Sequence, residues 1–246
     1  MRPILTVVAA SLIIFSLNAQ PVKILLVTGG HSYDTIPFFQ MFDALEGIEY
    51  EHFLQPEANR KIAQGAGENY DVLVFYDMWR EISEPEIQAY IDLTRKGKPM
   101  LFLHHALVSY QDWPQFEKLL GGKYIEKRRG ISEKELSTYE HDVWVYIQPA
   151  GNHPVTKGFS NLRFFDEVYG NYRVSEDVIP ILTTNHPQSE RIIGWENRFN
   201  KSRIIYLQPG HDSRTYETED YRKLLLQTIN YLAKSYSLEN VKQNQE

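Results

Sequence analysis

The sequence predicts a single α/β domain built around a mostly parallel β-sheet. Short, continuous apolar runs alternate along the chain with segments whose apolar residues recur at helical spacing, which is the pattern of βαβ units. Several of the apolar runs end at a histidine or an aspartate, at the edge where an open α/β sheet binds its ligands. The 246 residues, 42% of them hydrophobic and 24% charged, are sufficient for one sizeable core.

The amino-terminal half carries the clearest alternation. The predicted strands are residues 22–28, 71–77 and 99–103, and the predicted helices are residues 36–45, 84–95 and 113–120. The second helix begins after Ser83 with Pro85 in its first turn and ends at Gly97, and the third helix ends at Gly121. Crossovers of this kind are right-handed and make neighbouring strands parallel, so these segments predict the parallel part of the sheet.

The middle of the chain departs from this pattern. Residues 123–173 are rich in aromatic residues, glycine and proline, and residues 143–147 within them alternate in polarity as a half-buried strand does. We expect an insertion here, an edge hairpin with long loops. The regular pattern then resumes, with predicted strands at residues 178–184, 191–195 and 203–207 and an amphipathic helix at residues 219–234.

The first 19 residues have the pattern of a signal peptide. Arg2 is followed by an apolar stretch at residues 4–17 and by Asn18-Ala19-Gln20, a small-residue cleavage site. The stretch is shorter than the roughly 20 residues that a membrane-spanning helix needs, so we expect cleavage after Ala19 and no stable membrane anchor. An uncleaved anchor or a buried first strand is the alternative. Cleavage would give a secreted or periplasmic protein, with an α/β domain at residues 20–236 and a polar tail at residues 237–246.

Charge and cysteine content exclude several classes of function. The net charge is -6 and no long basic run is present, which argues against a nucleic-acid partner and against an anionic membrane surface. The chain has no cysteine, so disulfides, thiol-linked lipids and a thiolate nucleophile are excluded. The oligomeric state is left open.

Histidine and aspartate side chains gather at the predicted strand ends. They are His31, Asp77, the adjacent pair His104 and His105, and the pair His211 and Asp212. Because the carboxyl ends of parallel strands lie along one edge of the sheet, we expect these groups to converge. Histidine suits proton transfer near neutral pH and is the commonest metal ligand, although a single histidine could equally be a hydrogen-bonded structural residue. Adjacent strand residues point to opposite faces, so one of His104 and His105 should face the site while the other supports it.

Glu167 is the best candidate for a catalytic carboxylate, ahead of Asp166. It follows Phe164-Phe165 and precedes Tyr169, and such apolar surroundings would raise its pKa and suit it to acid–base work. A solvated loop glutamate is the alternative. We assign substrate binding to the remaining candidates, which are His31, His105, Asp77, Tyr169 and Asp212.

The other histidines have weaker claims. His153 and His186 each precede a proline and are typical of turns, and His52 falls within a strand. His141 could reach the site from the insertion, although exposed polar residues of loops usually have no role.

No motif establishes a cofactor. The chain contains neither a paired-histidine helix motif nor a glycine-rich phosphate loop. A divalent metal remains open, with His31, His104, His211 and Glu167 as the candidate ligands.

Five short segments occur in the order seen in ThuA-like (trehalose-utilisation) proteins. They are Val-Thr-Gly-Gly-His at 27–31, Leu-His-His-Ala at 103–106, His-Pro-Val-Thr-Lys-Gly at 153–158, Asp-Glu-Val-Tyr at 166–169 and Gly-His-Asp at 210–212. On these segments the chain resembles that family over nearly all of its length beyond the signal peptide. The resemblance implies a flavodoxin-like three-layer sandwich related to class I glutamine amidotransferases, with an inserted hairpin or loop region.

The same resemblance implies roles for two histidines. His104 would occupy the sharp strand-to-helix turn where an amidotransferase places its nucleophilic cysteine, and His211 would lie near that enzyme's catalytic histidine. Because this chain has no cysteine, glutamine amidotransferase chemistry is excluded here.

The resemblance further implies carbohydrate metabolism, of trehalose-like or 3-keto disaccharides. We expect a lyase, isomerase or hydrolase of a sugar or ketosugar, in which His104 and His211 are acid–base groups or ligands and Glu167 is their carboxylate partner, with or without a metal. Tryptophan faces could stack on the sugar, and the candidates are Trp79, Trp113, Trp144 and Trp195. The alternatives are a non-catalytic sugar-binding or accessory protein on the same fold and a metal-dependent hydrolase.

Overall fold

A nine-stranded sheet dominates the computed structural model, which describes residues 20–243. The strands are β1 (Val22–Gly29), β2 (Ile48–Leu54), β3 (Val72–Asp77), β4 (Met100–Leu103), β5 (Gly122–Lys123), β6 (Thr138–Pro149), β7 (Leu162–Gly170), β8 (Arg173–Val174), β9 (Ile179–Thr184), β10 (Ile192–Phe199) and β11 (Ser202–Leu207). The helices are α1 (Thr35–Asp43), α2 (Glu57–Ala63), α3 (Glu84–Arg95), α4 (Pro114–Leu120), α5 (Ser213–Tyr216) and α6 (Glu219–Gln243).

The order of the strands in the large sheet is β2-β1-β3-β4-β11-β10-β9-β6-β7. The strands from β2 to β11 pair in parallel, and those from β11 to β7 pair antiparallel. The register places Gly29 of β1 opposite Asp77 of β3, and Leu103 of β4 opposite Leu207 of β11. These five parallel strands therefore end side by side, and the polar residues that follow them start from one edge.

Helices cover both faces of the sheet. Along β1, Ile24 and Leu26 pack in one apolar cluster with residues of α1 and α6, whereas Leu25 and Val27 pack in a second cluster with residues of α2, α3 and α4. Alternate residues of a strand point to opposite faces, so a continuous aliphatic run is the expected sequence of a strand buried on both sides. The predicted three-layer α/β sandwich is confirmed.

The inserted region adds strands to the sheet. β6 pairs antiparallel with both β7 and β9, so that Ile147 lies opposite Leu162 on one side and Thr184 on the other. β7 forms the outer edge. The predicted edge hairpin is present, but its strands are longer than the five residues that alternate in polarity.

Two helices differ from the prediction. Helix α2 has seven residues, of which Ala58, Asn59 and Ile62 are buried, and it was not predicted from the sequence. Helix α6 continues to Gln243, through residues expected to form the polar tail, because no proline or glycine follows Lys234 to end it. The predicted signal peptide at residues 1–19 lies outside the described residues. Within residues 20–243, no helix has both the length and the apolar character needed to cross a membrane.

Candidate functional site

His104 stands at a strained turn directly after β4. Its φ of 47° lies in the left-handed region, which residues other than glycine seldom adopt and which is concentrated at functional sites. The Tyr206 hydroxyl donates to the His104 carbonyl oxygen at 2.9 Å and holds the turn in place. The turn sends the side chains of His104 and His105 in different directions, and both are buried.

The His104 ring is the centre of a polar cluster. Its Nδ1 donates to the Gln208 carbonyl oxygen at 2.6 Å, because a carbonyl can only accept. Its Nε2 lies 2.9 Å from Glu167 Oε2, 3.1 Å from His211 Nδ1 and 2.9 Å from the Tyr169 hydroxyl. The structure thus brings together four predicted site residues, from the turn after β4, from β7 and from the loop after β11.

Glu167 links three imidazoles. Its Oε2 is 3.3 Å from His211 Nδ1 as well as being close to His104, and its Oε1 is 3.1 Å from His141 Nδ1. Burial alone would raise the pKa of Glu167, but the hydrogen bonds and positive charges of His104 and His211 outweigh it and hold that pKa well below its usual value. The pKa of Glu167 is therefore lowered, whereas its apolar neighbours in the sequence predicted a raised pKa. The sequence did not show how many imidazoles surround the carboxylate.

Asp166 holds the backbone on which this cluster is built. Its fully buried carboxylate accepts hydrogen bonds from the backbone N–H groups of Glu167, Gly210 and His211 at 2.8, 2.7 and 2.9 Å, and from the Thr215 hydroxyl at 3.0 Å. Neighbouring residues of β7 point to opposite faces, so Asp166 reaches the backbone of the loop while Glu167 meets its imidazole. Sequence reasoning ranked Asp166 second and missed this positioning role.

His211 is the cationic candidate of the cluster. Burial by itself would lower its pKa, but the hydrogen bond and the charge of Glu167 raise that pKa above its usual value. By contrast, burial is the main reason that the pKa of His31 is lowered. The two rings lie 6.5 Å apart between centroids.

His105 is buried without a hydrogen-bond partner. Its ring packs between His31 and Tyr76, with centroids 4.5 and 4.4 Å away, and is 2% exposed. Neither ring nitrogen has a partner among residues 20–243. Burial lowers the pKa of His105 well below its usual value, so the ring is neutral. An unpaired buried polar group is costly, and this ring lines a cavity beside the cluster.

Two adjoining cavities open beside the cluster, and His31 and His141 line both of them. The first has a volume of about 430 Å³ and is also lined by Ser32, Tyr33, Asp34, His211 and Asp212. The second, of about 280 Å³, is also lined by Met78, His105, Val108, Tyr124, Glu126, Tyr139, Glu167 and Tyr169. Every predicted site residue except His104 and Asp77 therefore lines one of the two cavities.

Asp77 belongs to a different network. Its carboxylate accepts from Gln55 Nε2 at 2.9 Å and from the Tyr110 hydroxyl at 3.4 Å, and it is fully buried. Its neighbour Tyr76 points to the opposite face, where its hydroxyl reaches the Gly210 carbonyl oxygen. Strand alternation therefore takes Asp77 away from the imidazoles, although β3 ends at the predicted edge.

His141 lies at the site, although the sequence predicted this position only weakly. The pairing of β6 with β7 shifts register between Glu140 and Val143, and Asp142 has a φ of 59°. A bulge of this kind redirects a side chain, and here it brings His141 against Glu167. Sequence alone does not reveal a bulge inside an alternating strand.

His153 and the tryptophans have structural positions. His153 Nδ1 accepts from the Val155 backbone N–H, and its Nε2 is 3.2 Å from Glu196 Oε2, as suits a turn residue. Trp113 and Trp195 are buried in the core, and Trp144 is half exposed on β6. The aromatic side chains that line the two cavities are tyrosines rather than tryptophans.

Three of the four candidate metal ligands are placed to hold an ion. His104, Glu167 and His211 each offer one donor atom, and these atoms all lie within 4.8 Å of one another. His31 is not part of this group, since its ring stacks on His105.

Comparison with known proteins identifies relatives by sequence pattern and by fold. The ThuA family model, described as trehalose utilisation, matches residues 23–232. No curated protein matches the chain. Among solved structures it is similar to a ThuA-like protein from Parabacteroides merdae, with a TM-score of 0.70 and 17% identity over 87% of this chain and 91% of that one.

Two further structures show the same fold. A ThuA-like protein from Bacteroides uniformis has a TM-score of 0.66 and 19% identity, over 87% of this chain and 92% of that one. A protein from Salmonella typhimurium, described as cytoplasmic, has a TM-score of 0.62 and 12% identity, over 85% of this chain and 99% of that one. At these identities the likeness concerns the fold alone.

Proposed function

Because the chain belongs to the ThuA family, which is described by trehalose utilisation, we propose that it is an enzyme of carbohydrate metabolism acting on a ketosugar. The reaction we propose is the movement of a proton on the carbon next to the carbonyl group, leading to elimination, isomerisation or bond cleavage. One observation carries the proposal. The buried His104 ring is joined to Glu167 and His211 beside two cavities large enough for a small ligand.

Such a reaction needs a base and a positive group near the carbonyl oxygen. His31 and His141 line both cavities, so their rings are placed to meet a proton of a bound ligand. The cluster of His104, Glu167 and His211 is placed to hold positive charge against the carbonyl oxygen. The base and the positive centre therefore come from different residues of one site.

The cavities suit a disaccharide. They adjoin at His31 and His141, so each can take one ring of a two-ring sugar. Tyr124, Tyr139 and Tyr169 provide aromatic surface and hydroxyl groups in the smaller cavity. The unpaired ring nitrogens of His105 would bond to a sugar hydroxyl.

The test is exchange of the substrate proton with solvent. Purified protein is mixed with a 3-keto disaccharide in deuterium oxide, and NMR follows deuterium entering next to the carbonyl. We expect enzyme-dependent exchange, and loss of at least about 100-fold in the His104→Gln variant. His186→Gln is the matched control, because His186 bonds to the Gln188 backbone N–H and lines neither cavity.

Two results would contradict the proposal. One is exchange by the His104→Gln variant at the wild-type rate. The other is calorimetric binding of the disaccharide with no exchange and no turnover, which would make the protein a sugar-binding or accessory member of the family.

We also propose that the protein acts outside the cytoplasm. The support is the sequence of residues 2–20, with its charged start, apolar stretch and small-residue cleavage site. Mass spectrometry of the protein recovered from its native host should find Gln20 as the first residue. A chain that retains residues 1–19 would overturn this assignment.

A further inference from the structure

We propose that His104, Glu167 and His211 bind one divalent transition-metal ion. The donor atoms are His104 Nε2, Glu167 Oε2 and His211 Nδ1, and their separations are 2.9, 3.1 and 3.3 Å. In a tetrahedral site with metal–ligand bonds of about 2.0–2.1 Å, two ligand atoms lie about 3.3 Å apart. The three atoms are therefore close to the positions of three corners of a coordination tetrahedron.

His104 is oriented as a metal ligand. Its Nδ1–H group is held by the Gln208 carbonyl oxygen, which fixes the tautomer that leaves the lone pair on Nε2. Metal-binding histidines are usually oriented in this way, by a carbonyl or carboxylate on the other ring nitrogen. The ring is fully buried at a strained turn.

The other two ligands are also anchored. Glu167 has its second oxygen, Oε1, against His141 Nδ1, which leaves Oε2 for the ion. The Asp166 carboxylate fixes the backbone N–H groups of both Glu167 and His211. Each ligand thus has an outer partner that sets its orientation, as the outer shell of a metal site requires.

Three possible ligand atoms converge on one point of the cluster. His104 Nε2 lies 2.9 Å from Glu167 Oε2, and His211 Nδ1 lies 3.1 and 3.3 Å from those two atoms. A metal ion can bond to all three atoms at once, whereas a shared proton joins only one pair of them.

A second buried histidine–glutamate pair shows the contrast. Glu196 Oε1 accepts from Arg203 Nη1 at 2.7 Å, while its Oε2 accepts from the Tyr231 hydroxyl at 2.7 Å and lies 3.2 Å from His153 Nε2. That carboxylate is surrounded by protein donors, including a guanidinium. Glu167 faces imidazoles that can all act as ligands, so it and not Glu196 has the surroundings of a metal ligand.

The ligand set indicates the class of ion and its role. Two imidazole nitrogens and one carboxylate suit Zn²⁺, Co²⁺ or Fe²⁺, whereas Mg²⁺ and Ca²⁺ prefer oxygen ligands. The remaining positions of the ion would face the cavities lined by Glu167 and His211. The ion's role, though not its binding, rests on the proposed function: it would polarise the carbonyl oxygen of the ketosugar while His31 or His141 moves the proton.

Metal binding can be measured without any substrate. Tag-free protein is dialysed against a chelator and titrated with Zn²⁺ in a calorimeter, and with Co²⁺ while its visible ligand-field absorption is recorded. We expect one ion per chain, a tetrahedral or five-coordinate Co²⁺ spectrum and no competition from Mg²⁺. Zn²⁺ should also raise the melting temperature, because it binds only the folded chain.

Substitutions locate the ion. Glu167→Gln and His211→Gln should each weaken Zn²⁺ binding more than the roughly 10- to 100-fold that loss of an outer partner costs, and His141→Gln should fall within that range. His153→Gln is the matched control and should bind Zn²⁺ like the wild type, because it alters the histidine–glutamate pair at Glu196. If a ligand variant does not fold, the Co²⁺ spectrum of the wild-type protein still decides the question.

The outcomes separate this inference from the proposed function. Absence of stoichiometric Zn²⁺ and Co²⁺ binding, or binding unchanged in Glu167→Gln and His211→Gln, overturns the metal site. Proton exchange that survives complete chelation overturns the catalytic role of the ion and leaves the proposed function standing. Zn²⁺ binding that the substitutions abolish, without exchange or turnover of any ketosugar, supports the site and contradicts the proposed function.

Discussion

Asp166 shows how much of the site depends on a residue that touches no ligand. Each of its oxygens accepts two hydrogen bonds, so the carboxylate has no acceptor position unused. An asparagine would place an NH₂ group against N–H donors. The Asp166→Asn variant should therefore lose about 2 to 4 kcal/mol of unfolding free energy, measured by urea denaturation.

The same variant should also lose proton exchange on the ketosugar, because the backbone of His211 is no longer held. Asp43→Asn is the control: Asp43 is exposed and bonds only to Tyr50 among the described residues, so its replacement should change stability by no more than about 0.5 kcal/mol. Wild-type stability in Asp166→Asn would show that the carboxylate is not the anchor of the loop.

His105 provides the opposite case, a buried polar ring that protein atoms do not satisfy. Replacing it with phenylalanine keeps an aromatic ring between His31 and Tyr76 and removes two unpaired nitrogens. We expect the His105→Phe variant to unfold at the same or a higher urea concentration. Its affinity for the ketosugar, measured by calorimetry, should fall at least about 10-fold. Wild-type affinity would exclude a contact between His105 and the sugar.

Residue types at strand ends and next to apolar residues were sufficient to predict most members of the candidate cluster. His104 and His211 were selected because they follow predicted strands, and Glu167 because it lies between Phe165 and Tyr169; the structure brings all of them together with Tyr169. His141 could not be predicted with the same strength, since its approach depends on a bulge in β6. A bulge is set by pairing between strands, and pairing has no local sequence signal of comparable clarity.

At the scale of elements, local chemistry fixed some boundaries and not others. Helix α3 spans Glu84–Arg95 as predicted, because Ser83 and Glu86 form a capping box and Gly97 adopts a φ of 81° beyond its end. Helix α2 is short and lies between buried segments, so its helical spacing could not be distinguished from a loop. The strong caps of α3 made its boundaries predictable, and the short length of α2 prevented its prediction.

Gly30 links β1 to the His31 loop and has no room for a side chain. Its φ is 79°, and a Cβ atom there would lie 2.2 Å from the Met78 carbonyl oxygen. The Gly30→Ala variant should lose more than about 2 kcal/mol of unfolding free energy and should also displace His31. Urea denaturation and the exchange assay measure the two effects.

Gly47 gives the matched control for backbone strain. Its φ is 75°, but a Cβ atom there would meet nothing within 4 Å. Gly47→Ala should therefore cost only the roughly 1 to 2 kcal/mol of a left-handed residue and should leave exchange unchanged. If Gly30→Ala and Gly47→Ala lose equal unfolding free energy, the close approach to the Met78 carbonyl oxygen does not contribute to the loss.

For the whole molecule, the sheet separates two polar systems that the sequence could not tell apart. Tyr76 and Asp77 are neighbours on β3, yet their side chains lie on opposite faces of the sheet. The tyrosine contacts the loop that carries His211, whereas the aspartate contacts Gln55 and Tyr110. The strand ends of one edge were predicted correctly. The face on which each side chain lies depends on register, so the expectation that Asp77 converges with the imidazoles was wrong.

The Asp77 network predicts how the stability of the whole chain depends on pH. Burial raises the pKa of Asp77 to about 7, against the lowering effect of hydrogen bonds from Gln55 and Tyr110. The groups packed around it carry no opposing charge: Gln55 and Asn59 are amides, and the pKa values of Tyr90 and Tyr110 are raised well above their usual value. In the unfolded chain the same carboxyl group ionises near its usual pKa of 3.8.

Between about pH 4 and pH 7 the folded chain therefore retains a proton on Asp77 that the unfolded chain releases. The linkage slope is negative in that window, so this residue's contribution to the unfolding free energy falls as the pH rises, by up to about 1.4 kcal/mol per pH unit, and levels off above about pH 8. Asparagine resembles the protonated form, so the Asp77→Asn variant should lack this dependence. Urea denaturation of both proteins from pH 4 to pH 8 should show the variant gaining about 4 kcal/mol relative to the wild type, whereas parallel curves would show that Asp77 is already ionised when buried.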